Sequence, residues 1–426
     1  MSLAKMRFSA SILGREFIAG LTTYLTMSYI VFVNPGILAE AGMDRAALIA
    51  VTCLVSAAAS IISGLYTNTP IAMAPGMGLN AFFTYTLVVG DGMSWQAALG
   101  VVFISGLSFF ILTCFGIRKM FAEAIPANLL KAISVGIGLF IAFIGLQKLG
   151  LIVADPVTFV KAGDLNANIF TGFAGLLVML FLKHYNKSYA MIAGIAAATV
   201  IGFLRGDVSM PDEVMTSSLG IGKIALKLDI LAALKISFLS HIFTLMFVDM
   251  FDSLGTITGI LDSHPDAAGK SKNPVGRLLM ADSVATMFGA VLGTSTTTAY
   301  IESAAGVEEG GRTGMTAIFT GLLFAVTMFF VPLIGIVPGY AVAPALIMVG
   351  FAMTANIKNI DFKNVEQAFP AFVTILMIAL SYSISTGLAF GFLTYTVLHA
   401  LTGKVREIKP LMWIITLLSI LFLILN

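Results

Sequence analysis

Four acidic residues stand where acids are costly. Asp249, Asp252, Asp282 and Glu302 each fall inside a stretch that is otherwise apolar. An ionised side chain deep in hydrocarbon costs about 2.5 to 3.5 kcal/mol on insertion scales, so a carboxyl retained there is a functional candidate by default. Asp249 and Asp252 lie three apart in Phe247-Val-Asp-Met-Phe-Asp-Ser-Leu-Gly-Thr256, a spacing that puts both on one side of a helix. Two kinds of chemistry are open to such groups: accepting hydrogen bonds from a solute, and carrying a proton, because burial favours the neutral acid. Plainer readings also exist. Asp249 and Asp282 suit a bridge between helices, Asp252 a hydrogen bond to a neighbouring segment, and Glu302 a place in a first helical turn, where the dipole favours an anion.

The elements that must position these acids are membrane helices. Of 426 residues, 58% are hydrophobic and 11% charged, against roughly 25% charged in a soluble domain. Apolar stretches near the ~20 residues needed to cross a bilayer recur throughout. They are expected near 15 to 37, 46 to 66, 70 to 90, 95 to 115, 127 to 152, 168 to 184 and 188 to 204. A second set follows near 236 to 261, 275 to 292, 294 to 307, 314 to 334, 338 to 355, 366 to 382 and 385 to 401. The fold class expected is all-α integral membrane, with fourteen transmembrane segments in two inverted repeats of seven. The repeats run 1–205 and 236–401, joined by an external connection at 206–235 and followed by a basic segment and apolar tail at 402–426. An odd number of crossings per half forces opposite orientations, a recurring plan among secondary transporters.

Charge supports one orientation. With the N-terminus cytoplasmic, the inner face collects Lys5, Arg7, Arg15, Arg118, Lys119, Lys131, Lys183, Lys187, Lys270, Lys272, Arg277, Arg312, Lys358, Lys363, Lys404, Arg406 and Lys409. That is 17 of the 24 Lys and Arg, as the positive-inside rule requires. The net charge of +2 gives no reason to expect a nucleic-acid partner. The start has no short apolar core with a small-residue cleavage site, so the first helix is expected to double as insertion signal. Cys53 and Cys114 lie in apolar segments and are expected as small hydrophobes, not as a disulfide. His184, His241, His264 and His399 are scattered, and no metal cluster, nucleophile elbow or phosphate loop occurs, so neither an enzyme nor a resident cofactor is expected.

Two segments depart from helical composition at matching places in the halves. The third opens with Thr69, Pro70, Pro75, Gly76 and Gly78 and becomes helical at Asn80; the tenth opens with Gly293, Thr294, Ser295 and three threonines at 296 to 298. Pro and Gly break helices and Ser/Thr runs favour extended backbone, so each is expected as a short strand leading into a half-helix. Such backbone survives at membrane depth only beside protein or a watery cavity. Paired interrupted segments are the best pointer in a sequence to a transport site. Glu302 and Asn80 open the two half-helices, although Asn80 also suits a plain helix cap.

The run Pro70-Ile-Ala-Met-Ala-Pro-Gly-Met-Gly-Leu-Asn-Ala-Phe-Phe83, the eighth-segment Phe-Val-Asp-Met-Phe-Asp-Ser-Leu-Gly-Thr and Gly293-Thr-Ser-Thr-Thr-Thr-Ala-Tyr-Ile-Glu-Ser-Ala-Ala-Gly306 resemble the nucleobase-cation symporter (nucleobase-ascorbate transporter) family. Within it they are similar to the AzgA-like branch of adenine, guanine and hypoxanthine permeases, as is Glu16-Phe-Ile-Ala-Gly-Leu-Thr-Thr-Tyr-Leu-Thr-Met-Ser-Tyr-Ile30. The resemblance runs from about residue 12 to 401. It implies a core domain from 12–117 and 236–335, a gate domain from 118–205 and 336–401, and a homodimer packed through the gates. It also implies that an eighth-segment carboxylate, matched by Asp252, and a polar or acidic residue of the tenth segment, matched by Glu302, hold the base. The uracil and xanthine branches usually carry Glu at the eighth-segment position, so Asp252 departs from them and agrees with the purine branch.

Chemistry agrees with that implication. A neutral nucleobase offers ring N–H and exocyclic NH2 donors along one edge, and a carboxylate can accept two of them. Candidate substrate-binding residues are Glu302, Asp252, Asn80, Ser303, Ala299, Thr26, Phe251 and Tyr24; Phe82, Phe83 and Tyr300 are further stacking candidates. Proton-coupling candidates are Asp252, Glu302 and Asp249. The expected function is import of purine nucleobases by proton symport through an alternating core/gate mechanism in the cell (inner) membrane. Protons are the expected partner ion, and sodium stays open. The alternative is an anion transporter of the same fold, of the sulfate or bicarbonate type, which two carboxylates at the site would disfavour.

Overall fold

The computed structural model describes residues 10–115, 125–235, 238–268 and 273–425. Lys5, Arg7, Arg118, Lys119, Lys270 and Lys272, counted above as inner charges, lie outside these residues, as do Ile236 at the expected start of the eighth segment and the core/gate boundary at 117 and 118.

The first half comprises α1 (Ala10–Met27), α2 (Ile30–Leu38), α3 (Arg45–Thr67), β1 (Met73–Pro75), α4 (Met77–Ala81) running into a π-helix (Phe82–Gly90), α5 (Trp95–Cys114), α6 (Ala127–Leu149), a hairpin of β2 (Ile152–Asp155) and β3 (Phe159–Ala162), α7 (Ala167–His184) and α8 (Ala190–Leu204). After the short α9 (Ile230–Ala233) come α10 (Leu239–Ser263), α11 (Pro274–Leu292), β4 (Thr297–Ala299), α12 (Ser303–Glu308), α13 (Gly314–Thr327), α14 (Val331–Gly335), α15 (Gly339–Thr354), α16 (Val365–Leu380), α17 (Ile384–Leu401) and α18 (Pro410–Leu425).

Short polar side chains start many of these helices by accepting an otherwise orphaned backbone N–H, as Asp44 does from Ala47 (2.9 Å) and Ser94 from Ala97 (3.3 Å). The Lys223 ammonium lies 2.7 Å from Asp44, holds that carboxyl below the usual carboxylate range, and pins the 206–235 connection to the start of α3. Among the described residues, ten helices are long and apolar enough to cross a membrane. Met77–Gly90, Ala190–Leu204 and Val365–Leu380 are apolar but shorter. The stretch expected as a tenth crossing is a three-residue strand followed by a six-residue helix.

The helices pack in two groups. In one, α3 lies against α13 and α11, α1 against α13 and α12, and α5 against α11 and α10; in the other, α6 lies against α15 and α16, α16 against α17, and α7 and α8 against each other and α15. Both thiols are free, Cys53 buried and Cys114 exposed. Cys114 ends α5, one residue before the helix cap. The apolar tail forms α18, which turns back along α17, where Thr396 and Thr416 hydroxyls meet at 2.7 Å, and brings the Phe422 ring 5.9 Å from His241 near the start of α10. It therefore packs against the helical body along its length.

Candidate substrate site

The site is built on two crossing strands. β1 and β4 pair antiparallel, Met73 opposite Ala299, Ala74 opposite Thr298 and Pro75 opposite Thr297. Beyond the strands, Gly76 N–H donates to Thr296 O (2.9 Å) and Tyr300 N–H to Ala72 O (3.1 Å). Two strands leave outer edges, and an unpaired backbone group in a dry interior costs several kcal/mol. Neighbouring hydroxyls cover those edges. Ser60 accepts from Met73 N–H and donates to Met73 O (3.0 and 2.9 Å), Ser303 accepts from Ala72 N–H (3.0 Å), Ser253 from Ala299 N–H (3.3 Å) and Thr286 from Thr297 N–H (3.1 Å).

Beside the crossing lies a cavity of about 650 Å³, within the roughly 300 to 1,000 Å³ of small-molecule sites. Asp252 and Glu302 both line it, from α10 and from the turn between β4 and α12, within electrostatic range of each other. Gly76, Met77 and Gly78 and the run Thr298 to Ile301 line it from the two strand ends. The rest of the lining comes from α15 (Met348 to Met353) and from the end of α7 and the α7–α8 loop, which bring Lys183 and Lys187 to the same cavity as Glu308 and Glu309. Both lysines fall on the side expected to be cytoplasmic.

Helix 1 breaks at Ser28 and Tyr29, and the break aims Tyr29 inward. Its hydroxyl donates to Glu302 Oε1 at 2.6 Å, while Thr26 sits under the Glu302 carbonyl (3.4 Å). Glu302 makes no side-chain cap to α12, so its carboxylate is held by Tyr29 and turned to the cavity. Each carboxylate oxygen has two lone-pair sites, so a pair of N–H donors still fits. Three residues in a helix advance 300°, leaving a 60° divergence. That difference separates the two aspartates: Asp252 opens to the cavity, while Asp249 is fully buried with Oδ2 3.1 Å from the Thr286 hydroxyl. The same hydroxyl lies 3.0 Å from Thr297 O and has one proton to give to either. Asp282, also buried, comes within electrostatic range of Asp249 across the α10–α11 contact.

Of the substrate candidates, Thr26, Asp252, Ala299 and Glu302 line this cavity, and Tyr300 joins them. Ser303 supports β1 from below. Asn80 is buried behind the strands, its Oδ1 accepting from Ser295; the half-helix starts three residues earlier than expected, at Met77 with Gly76 as its cap, so Asn80 does not open it. Phe251 packs on Phe247 at 4.6 Å between centroids, and Phe82 and Phe83 are fully buried. Tyr24 faces a separate apolar cleft and shares a hydrogen bond with Thr327 (2.6 Å). Sequence reasoning missed Tyr29, Thr256 and Lys183, and marked Gly76 and Gly78 only as breakers of the third segment. Thr256 carried a usable signal, one helical turn beyond Asp252; Tyr29 had only its polar hydroxyl in an apolar segment.

A polytopic helical bundle with crossed strands over an acid-lined cavity is the architecture of a membrane permease, and the chain belongs to the nucleobase-ascorbate transporter family, its "Permease family" model matching residues 14–390. The relatives are transporters, not enzymes. Adenine permease AdeP of Escherichia coli is 41% identical over 98% of this chain and 94% of its own. Guanine/hypoxanthine permease PbuG of Bacillus subtilis is 41% identical over 96% of each chain. In fold, the chain is similar to the transmembrane domain of a cyanobacterial bicarbonate transporter BicA, with TM-score 0.65 and 15% identity over 89% of this chain and 98% of that one. SLC26A9 matches with TM-score 0.66 and 10% identity over 93% and 67%.

Proposed function

We propose that this multi-pass membrane protein imports purine nucleobases, among them adenine, guanine and hypoxanthine, by proton symport. The observation that carries the reading is the shared cavity of Asp252 and Glu302: one acid tethered by Tyr29 and suited to hold a base edge, the other without a hydrogen-bond partner among the described residues and suited to carry the proton. The names of the relatives support a purine as cargo. The two packing groups support a core bearing the site and a gate closing over it, and the element order supports fourteen segments in two inverted repeats. The protein resides in the cell (inner) membrane with its N-terminus cytoplasmic and works as a homodimer joined through the gates. Two carboxyls at the cavity disfavour an anion such as bicarbonate or sulfate, so the solved neighbours inform the fold alone.

Asp252→Asn keeps the shape and removes the proton carrier. Wild-type uptake into proteoliposomes rises as external pH falls, because the proton is a co-substrate; in the variant the rate becomes flat with pH while labelled hypoxanthine still binds. A pH profile unchanged from wild type moves the proton off Asp252. Running the same uptake with and without sodium, and competing five nucleobases and sulfate against the label, tests ion and cargo together.

A further inference from the structure

An empty symporter must return with its acids ionised, having released both base and proton. Closing a dry gate over an unpaired charge costs several kcal/mol, so the empty carrier needs a counter-charge that the loaded one does not. The cavity holds a candidate. Lys183, in the last turn of α7, lines the same hollow as Glu302 and Asp252 and reaches it from the opposite packing group. Its ammonium has no ion-pair partner among the described residues, and it lies within electrostatic range of Glu302. Lys187, Glu308 and Glu309 line the same cavity.

Resting on the transport reading above, we propose that Lys183 is a positioning residue for the empty carrier: when the gate closes without cargo, its ammonium pairs with Glu302 in place of the N–H donors of the base. Loaded, Glu302 is occupied and Lys183 stays with solvent. Lys183 then sets the rate of the unloaded half of the cycle and leaves the loaded half alone.

Two transport modes separate these halves. Net uptake into vesicles empty of purine requires return of the unloaded protein; counterflow, with saturating unlabelled adenine inside and labelled adenine outside, does not. In Lys183→Gln, net uptake is expected to fall about tenfold, equivalent to ~1.4 kcal/mol, while counterflow stays within about twofold of wild type and Lys183→Arg recovers net uptake. Equal loss in both modes, or loss in neither, overturns the proposal. Adenine binding to the purified variant, measured by scintillation proximity, guards against misfolding: unchanged affinity is expected, and lost affinity counts against it. Absence of counterflow in the wild-type protein overturns the purine reading and takes this inference with it.

Discussion

Glu302→Gln weakens purine binding by about 10- to 100-fold, the 1.5 to 3 kcal/mol ascribed to a hydrogen bond made to a charged group. The amide keeps the length of the side chain, and its oxygen still accepts from Tyr29, so the fold is left alone. What changes is the other end: one acceptor oxygen becomes an NH2 donor aimed at the N–H edge of the base. Attraction turns into a donor facing a donor, which puts the expectation at the upper end of the range. Isothermal titration with adenine or hypoxanthine, alongside size-exclusion profiles matching the wild type, reads the effect directly. Unaltered affinity would remove Glu302 from the site.

The second large effect is on assembly. Gly64 of α3 and Gly314 at the start of α13 pack backbone to backbone: a Cβ built on either falls inside van der Waals distance of the other's carbonyl oxygen. Nearby, a Cβ on Gly321 would sit 2.7 Å from Ala57 O and one on Gly20 2.8 Å from Thr316 O. Small residues let membrane helices approach to where dispersion forces hold them, since lipid gives no hydrophobic drive between helices. Backbone cannot swing aside as a side chain can. Gly314→Val is therefore expected to cost more than the ~1 to 3 kcal/mol of ordinary overpacking, seen as loss of the monodisperse peak and a melting temperature lowered well beyond measurement scatter. Gly259→Ala, whose added methyl meets nothing within 4 Å, serves as the control and leaves melting unchanged or raised. A Gly314→Val protein as stable as the control would contradict this packing.

Much of this architecture was legible because its rules are local. Proline, glycine and threonine runs at 70–78 and 294–298 announced extended backbone; β1 lies within the first and β4 begins within the second. Apolar run lengths located the long helices to within a few residues. The start of α4 at Met77 was misplaced because Met77-Gly78-Leu79 sits in a regular helix once Gly76 caps it. The π-helical turn at Phe82–Gly90 has no compositional mark at all. Asp252 and Glu302 were identifiable from the cost of burying charge, but the division of labour between Asp249 and Asp252 depends on a 60° difference in direction that needs the neighbouring helix to give it meaning. Tyr29 and Lys183 escaped for the opposite reason. Each is unremarkable in type, and it reaches the cavity through a helix break in one case and through the end of a helix distant in the chain in the other.

The crossed strands have a mechanical consequence. Tyr300 donates its phenolic proton to the carbonyl of Pro75, 225 positions earlier in the chain, at 2.5 Å. With the ladder on either side of it, this stitches the two ends of the site into one plank. A site built so cannot shift one half of its grip while the other stays put: whatever moves the first interrupted segment drags the second, and in the transport cycle proposed above the cargo would ride on a single rigid floor.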